Sequence, residues 1–166
     1  MAHAEAFVIT SASTEINQQF YQLDARIEYR FTPDVLAALN NGVPLTLRMD
    51  IEVQRKRRWW LDETIATLEQ RYRLSYHAFS EQYLVRNLNS GALYTFPTLG
   101  LAVDALGTLN GLPLLDTKFI EPDNQYEVEL RTSLDIEALP APLRPIAYIT
   151  PAWRLSSDWY QCSLTP

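Results

Sequence analysis

The chain has 166 residues, of which 47% are hydrophobic and 20% charged, a composition typical of one folded globular domain. The formal net charge of −6 argues against nucleic-acid binding, which depends largely on Lys and Arg side chains that neutralise phosphates. The single cysteine, Cys162, excludes an intrachain disulfide and a cysteine-rich zinc site.

The first residues carry a short motif of the kind found at signal-peptide cleavage points. Ala2-His3-Ala4 has the small-x-small form that signal peptidase accepts, and a strand-like segment follows Glu5. This pattern is equally consistent with two hypotheses, of which the first is an exported, periplasmic protein with a cleaved signal peptide, in which residues 1–4 are the remnant of the cleavage region or the start used for expression. A cytoplasmic protein with an ordinary N-terminus is the alternative. Residues 5–166 are predicted to form a single domain.

Alternation of apolar and polar residues predicts several long strands. It runs through residues 21–31 and 45–54, and less regularly through residues 66–77. It returns in residues 126–134. Successive side chains of a strand point to opposite faces, so each of these strands buries one face and exposes the other. Burial on one side only is typical of antiparallel sheets.

Shorter strands are predicted in the middle and at the end of the chain. Residues 83–88 and 93–96 indicate a hairpin, because Asn89-Ser90-Gly91 between them is a turn-forming sequence. A last strand is predicted over residues 159–164.

Two short helices are predicted in the connections between strands. Thr32 can cap a helix that begins at Pro33 and ends near Asn41-Gly42. Thr98 can cap a second helix that Gly107 closes.

Four prolines in residues 138–151 exclude a central strand, because proline donates no hydrogen bond to a sheet. We expect an extended, rigid crossover there. The elements together predict a mostly β fold, an antiparallel β-sandwich of immunoglobulin-like or related type with two short helices. The length of the strands leaves a partly closed barrel as an alternative.

The sequence contains no recognisable catalytic motif. His77 lies on the polar face of its predicted strand, without the nucleophile motif that a catalytic triad would need. Five carboxylates lie close together in the C-terminal half of the chain: Asp116, Glu121, Asp123, Glu127 and Glu129. Their spacing matches no calcium-binding loop, and residues 121–124 indicate a β-turn. We therefore predict no enzymatic activity, no cofactor and no metal, and keep an enzyme that uses Asp116, Glu121 or Asp123 as a third hypothesis.

One segment concentrates charge and aromatic surface. Four cations precede two indoles in this basic-aromatic segment: Arg55, Lys56, Arg57, Arg58, Trp59 and Trp60. Such a sequence suits an anionic membrane surface, and it would equally suit a phosphate backbone with base stacking. The alternative is a solvated strand end whose two indoles fold back against the edge of the core. We take the segment as the candidate surface for binding a partner or a membrane.

Motifs spread over nearly the whole chain resemble those of a known family. They include the proline-rich residues 139–145, the Trp-rich residues 153–160 and the segment Arg57-Arg58-Trp59-Trp60, with the strand at 72–76 and the helix after Phe96. The family is the uncharacterised proteobacterial domain-of-unknown-function family numbered 4390. The resemblance implies an exported protein, often encoded beside a membrane sensor kinase of the nitrogen-regulation type. No activity is established for the family, so it supplies no catalytic residues.

These observations predict a non-enzymatic, exported interaction module. It would present a sheet edge or the basic-aromatic segment to an envelope or membrane protein, for which the sensor kinase is a candidate, with peripheral membrane contact and no nucleic acid. The alternative is a carrier of a lipid or other apolar ligand between the sheets, because four Trp and nine Tyr can line a cavity.

Overall fold

Nine β-strands account for most of the regular structure in residues 7–164, the part of the chain that the computed structural model describes. In chain order they are β1 (Phe7–Asn17), β2 (Phe20–Tyr29), β3 (Leu45–Arg55), β4 (Glu63–His77), β5 (Gln82–Asn87), β6 (Leu93–Phe96), β7 (Thr108–Asp116), β8 (Tyr126–Leu134) and β9 (Tyr160–Ser163). One antiparallel sheet has the order β1-β2-β7, and the other has the order β6-β5-β4-β3-β8-β9. The predicted processing motif at residues 2–4 lies outside the described residues.

The prediction of a mostly β, antiparallel sandwich is confirmed. On β2, β3 and β8 the apolar members of the predicted alternation are buried, and they form one core between two separate sheets. A hydrogen bond crosses this core, because the hydroxyl groups of Tyr29 on β2 and Thr132 on β8 lie 3.0 Å apart. Burial raises the pKa of Tyr29 to about 12, which keeps the phenol neutral and hydrogen-bonded.

Both predicted helices are present with their predicted caps. They are α1 (Pro33–Asn40) and α2 (Leu99–Leu106), and Thr32 and Thr98 accept hydrogen bonds from the first turn of each. Gly107 ends α2, and its carbonyl oxygen accepts a hydrogen bond of 2.8 Å from the backbone of Ile27. This contact is so close that a Cβ at residue 107 would collide with the backbone of β2.

The expectation of an extended crossover over residues 138–151 is wrong. A third helix, α3 (Arg144–Ile149), lies there between the 3-10 turns Ala141–Leu143 and Pro151–Trp153. Pro142, Pro145 and Pro151 occupy first-turn positions of these elements, where proline's fixed φ is favourable and its missing N–H is not needed. The exclusion of a central strand is confirmed.

Strand β7 is absent from the prediction. Gly111 has φ +63° and Pro113 cannot donate to a ladder, so the sequence lacks a strand's alternation. The structure accommodates both because β7 is an edge strand whose register with β2 shifts twice. The Gly111 N–H instead donates to the carboxylate of Asp24 at 2.7 Å.

Three connections meet at one end of the sandwich. The strand pairing places Phe20 opposite Asp116, and Arg55 opposite both Glu63 and Tyr126. The turn around residues 16–20, the connection 56–62 and the connection 117–125 therefore lie together. We call these residues the apical end.

Candidate functional site at the apical end

The connection 56–62 between β3 and β4, here called the tip, is closed at its base by hydrogen bonds. The Lys56 N–H donates to the carbonyl oxygen of Gln125 at 2.8 Å. The Asp62 carboxylate accepts from the Arg57 N–H at 3.1 Å and from Lys56 Nζ at 2.9 Å. These bonds hold the pKa of Asp62 below its usual value. The base of the tip is thus fixed, and residues 58–61 project beyond it.

Three of the four predicted cations are neutralised within the protein. Arg55 lies 3.3 Å from Glu63, and Arg57 lies 2.6 Å from the same carboxylate. Lys56 Nζ lies 3.0 Å from Glu127 in addition to its bond with Asp62. The hydrogen bonds with Asp62 and Glu127 raise the pKa of Lys56. A layer of ion pairs therefore separates the tip from the core.

Arg58 differs from the other three cations. It takes part in no ion pair among residues 7–164, and its guanidinium lies 5.8 Å from the ring centroid of Trp59. Its charge is therefore available to a ligand at the outer part of the tip.

The two indoles do not fold back onto the core, so this part of the solvated-strand-end alternative is wrong. Trp59 is 83% exposed and Trp60 is 78% exposed, and Leu61 beside them is 90% exposed. Residues 55–57 before them are held in ion pairs at the end of the strand, and the indoles lie beyond these pairs. Three consecutive large apolar side chains consequently stand in solvent.

Further apolar side chains lie at the apical end. Ile16 and Phe20 flank the β1–β2 turn, and Phe119 follows β7; each is about half exposed. Lys118 Nζ lies 5.2 Å from the ring centroid of Phe119. The sequence interpretation did not include these residues or Leu61. For Leu61 a signal was present, since an apolar run of three in a hairpin turn has no strand face to occupy.

The cleft beside the tip is open and polar. It has a volume of about 1020 Å³ and is lined by residues 55–60, residues 123–125 and Glu127. Four of its charged lining residues, Arg55, Lys56, Arg57 and Glu127, are held in ion pairs, and Trp59 and Trp60 of the tip supply its aromatic surface.

The five carboxylates considered for catalysis have separate structural contacts. Asp116 accepts from the Lys118 N–H, and Glu129 accepts from the Gln161 side chain. Glu121 accepts from Asn124 within the predicted β-turn, which is confirmed by an Asn124 N–H bond to the Glu121 carbonyl. Glu127 pairs with Lys56, while Asp123 is exposed. Among residues 7–164, no three His, Cys, Asp or Glu side chains are grouped closely enough to hold a metal ion.

Two other side chains singled out from the sequence lie away from the tip. His77 lies at the opposite end of β4, where its Nδ1 and the Ser80 hydroxyl are 3.0 Å apart. Cys162 is half-buried on β9, and burial raises the pKa of its thiol.

Next to the tip, β4 has a free edge. β5 pairs with β4 only from Tyr72 onward, and the Asn89 side chain bonds the backbone of Arg71 and Glu69. In the described part of the chain, no strand pairs with residues 63–68 on that side. Their backbone groups can accept a further strand, although an irregularity opposite Val53 and Gln54 shortens the regular stretch.

Comparisons with known proteins identify the family but no characterised relative. No curated protein and no solved structure matches the chain. Within the described residues, no helix has the length and apolar character needed to cross a membrane. The sequence model of one family, described as a domain of unknown function (DUF4390), matches residues 4–163. The chain therefore belongs to the DUF4390 family.

Proposed function

We propose that this protein is a non-enzymatic interaction module of the cell envelope, which attaches to a membrane-associated partner through the tip. The observation that carries this proposal is the exposure of Trp59, Trp60 and Leu61 on a projecting turn. Large apolar side chains grouped on a surface mark interaction sites, and Trp is prominent among residues that dominate binding energy.

The base of the tip favours binding because hydrogen bonds already close it in the free protein. The bonds of Lys56 and Asp62 hold the ends of the turn together, so binding does not have to order the backbone. Pre-organisation of this kind reduces the entropic cost of association. The free edge of β4 lies beside the tip and offers hydrogen-bonding groups to a partner held there.

The periplasmic location, the cleaved signal peptide and the membrane sensor kinase belong to the same proposal. They rest on the motif at residues 2–4 and on what the family resemblance implies. The alternative is a carrier of an apolar ligand between the sheets, whose inward-facing side chains pack against one another in one core.

The proposal is tested by photo-crosslinking in the source organism. A photoreactive amino acid replaces Leu61 in one variant and Phe79 in the other, and crosslinked envelope proteins are identified by mass spectrometry. Phe79 is a matched control because it is 97% exposed in the turn at the opposite end of β4. We expect an envelope protein, with the sensor kinase as first candidate, to be captured from residue 61 only. Equal capture from both positions, or none from residue 61, would refute the proposal.

Export is tested separately. Cell fractionation of the source organism should recover the protein in the periplasmic fraction, with an N-terminus created by cleavage close to Ala4. A cytoplasmic product with an unprocessed N-terminus would refute the proposed location in the cell envelope.

A further inference from the structure

We infer that the apical end binds the lipid bilayer surface directly, with Trp59, Trp60 and Leu61 entering the interface between headgroups and acyl chains. This inference rests on the proposed function, since it names the ligand of the same tip. It adds a lipid contact to the membrane-associated partner that the proposed function assigns to the tip.

The arrangement of the apolar side chains favours a surface over a groove. They come from three separate connections and from both sheets, and include Ile16, Phe20 and Phe119 beside the tip. Loops that share one end of a sandwich can enter a flat, deformable surface together. Indoles in particular favour the membrane interface, where the ring is in apolar surroundings and the N–H is in polar ones.

The two cations without an ion pair lie where they could contact lipid headgroups if the apical end faces the membrane. Arg58 lies over the ring of Trp59, and Lys118 lies over the ring of Phe119. Neither cation belongs to an ion pair within residues 7–164. With the aromatic rings in the interface, both cations would lie at the depth of lipid phosphates, the anionic groups that attract juxtamembrane cations.

The other charges of the protein limit how much anionic lipid can raise the affinity for the membrane. Arg55, Lys56 and Arg57 are held by carboxylates, and the whole chain carries a net charge of −6. Asp116, the last residue of β7, and Asp123 at the apical end oppose the two free cations. Apolar surface therefore supplies most of the affinity, and each free cation contributes about fivefold at most toward anionic lipid.

The inference is tested with vesicles of phosphatidylcholine alone and of phosphatidylcholine mixed with phosphatidylglycerol. Binding is measured by co-sedimentation and by the blue shift of tryptophan emission, for the intact protein, Trp59→Ser/Trp60→Ser, and Phe79→Ser. Phe79→Ser is the matched control, because it removes an exposed aromatic ring from the opposite end. We expect binding to both vesicles, at least about a tenfold loss in the double Trp variant, and no change in the control.

The charge contribution is separated with Arg58→Ser/Lys118→Ser. This variant should lose the preference for phosphatidylglycerol and keep its binding to phosphatidylcholine, since its indoles are intact. No vesicle binding by the intact protein, or equal losses in the double Trp variant and the control, would overturn the inference.

Two outcomes distinguish this inference from the proposed function. If vesicles do not bind but residue 61 still crosslinks to an envelope protein, the lipid inference fails and the proposed function stands. If analytical ultracentrifugation without vesicles shows self-association that the double Trp variant abolishes, a second copy of the chain occupies the tip, and the lipid inference is overturned.

Discussion

Replacing both exposed indoles should leave the fold almost as stable as before. About one fifth of the surface of Trp59 and of Trp60 is covered in the folded chain. Each Trp→Ser change therefore removes only about 40 Å² of buried apolar area. At roughly 25 cal/mol per Å², the loss is about 1 kcal/mol for each residue at most. Indoles that sealed the core would instead cost about 3 to 5 kcal/mol each.

Urea unfolding of the intact protein and of the single variants Trp59→Ser and Trp60→Ser measures this difference. The midpoint should shift slightly with an unchanged m value, because the core and the surface exposed on unfolding stay the same. A loss above about 2 kcal/mol in either single variant would refute the reasoning, since it would require that ring to be packed. The result also decides whether a binding defect of the double variant reflects a lost contact or a lost fold.

Three further predictions concern the scaffold and the base of the tip. Gly107→Ala should lower the free energy of unfolding in urea by more than about 2 kcal/mol, because the added Cβ would lie far closer than 3.0 Å to a backbone oxygen of β2. The control Gly100→Ala should be neutral or stabilising, since open space surrounds Gly100. The pKa of Tyr29 is raised from 10.0 to about 12, so the folded state keeps a proton that the unfolded state loses. Its contribution to stability is therefore complete below pH 10 and falls by roughly 1.4 kcal/mol per pH unit between pH 10 and 12; Tyr29→Phe should lack this part of the slope in alkaline urea titrations. Asp62→Asn weakens the bonds to Lys56 and to the Arg57 N–H, so limited trypsin digestion should cut the tip several times faster, while the exposed Asp123→Asn should leave the rate unchanged.

Local sequence pattern was sufficient to predict most of the strands and the helices α1 and α2. The period-two alternation on β3 predicts its span and its apolar, buried face, because a strand that borders a core must alternate, but Thr46 and Gln54 on the opposite face are buried as well. The cap at Thr32 is likewise a local feature, formed within four residues. β7 has neither property. Its Gly111 and Pro113 are tolerated only because the strand lies at an edge, and edge position is a property of the complete sheet.

The sequence predicts where the candidate site lies, but it does not predict which of its cations are paired with carboxylates. Four consecutive cations indicate a cationic surface, yet Lys56 pairs with Glu127 on another strand, and Arg55 approaches Glu121 in another connection. Pairings between residues so far apart in the chain depend on strand order, which composition does not reveal. The gathering of Phe119 at the same end depends on strand order as well.

Because three of the four cations are paired, membrane binding by the tip should respond to salt differently from what the sequence alone suggests. Four free cations would bind a membrane mainly by electrostatic attraction, which falls steeply as salt shortens the Debye length. With Arg55, Lys56 and Arg57 paired internally, Arg58 and Lys118 are the cations of the apical end that lack an ion pair within residues 7–164, and apolar area provides the larger part of the affinity. Burial of apolar surface is not screened by salt. Raising the ionic strength in the vesicle assay should therefore remove only the preference for phosphatidylglycerol, while binding to phosphatidylcholine persists. Complete release by salt from both kinds of vesicle would mean that the ion pairs at the base of the tip open at the membrane and that their cations bind lipid phosphate.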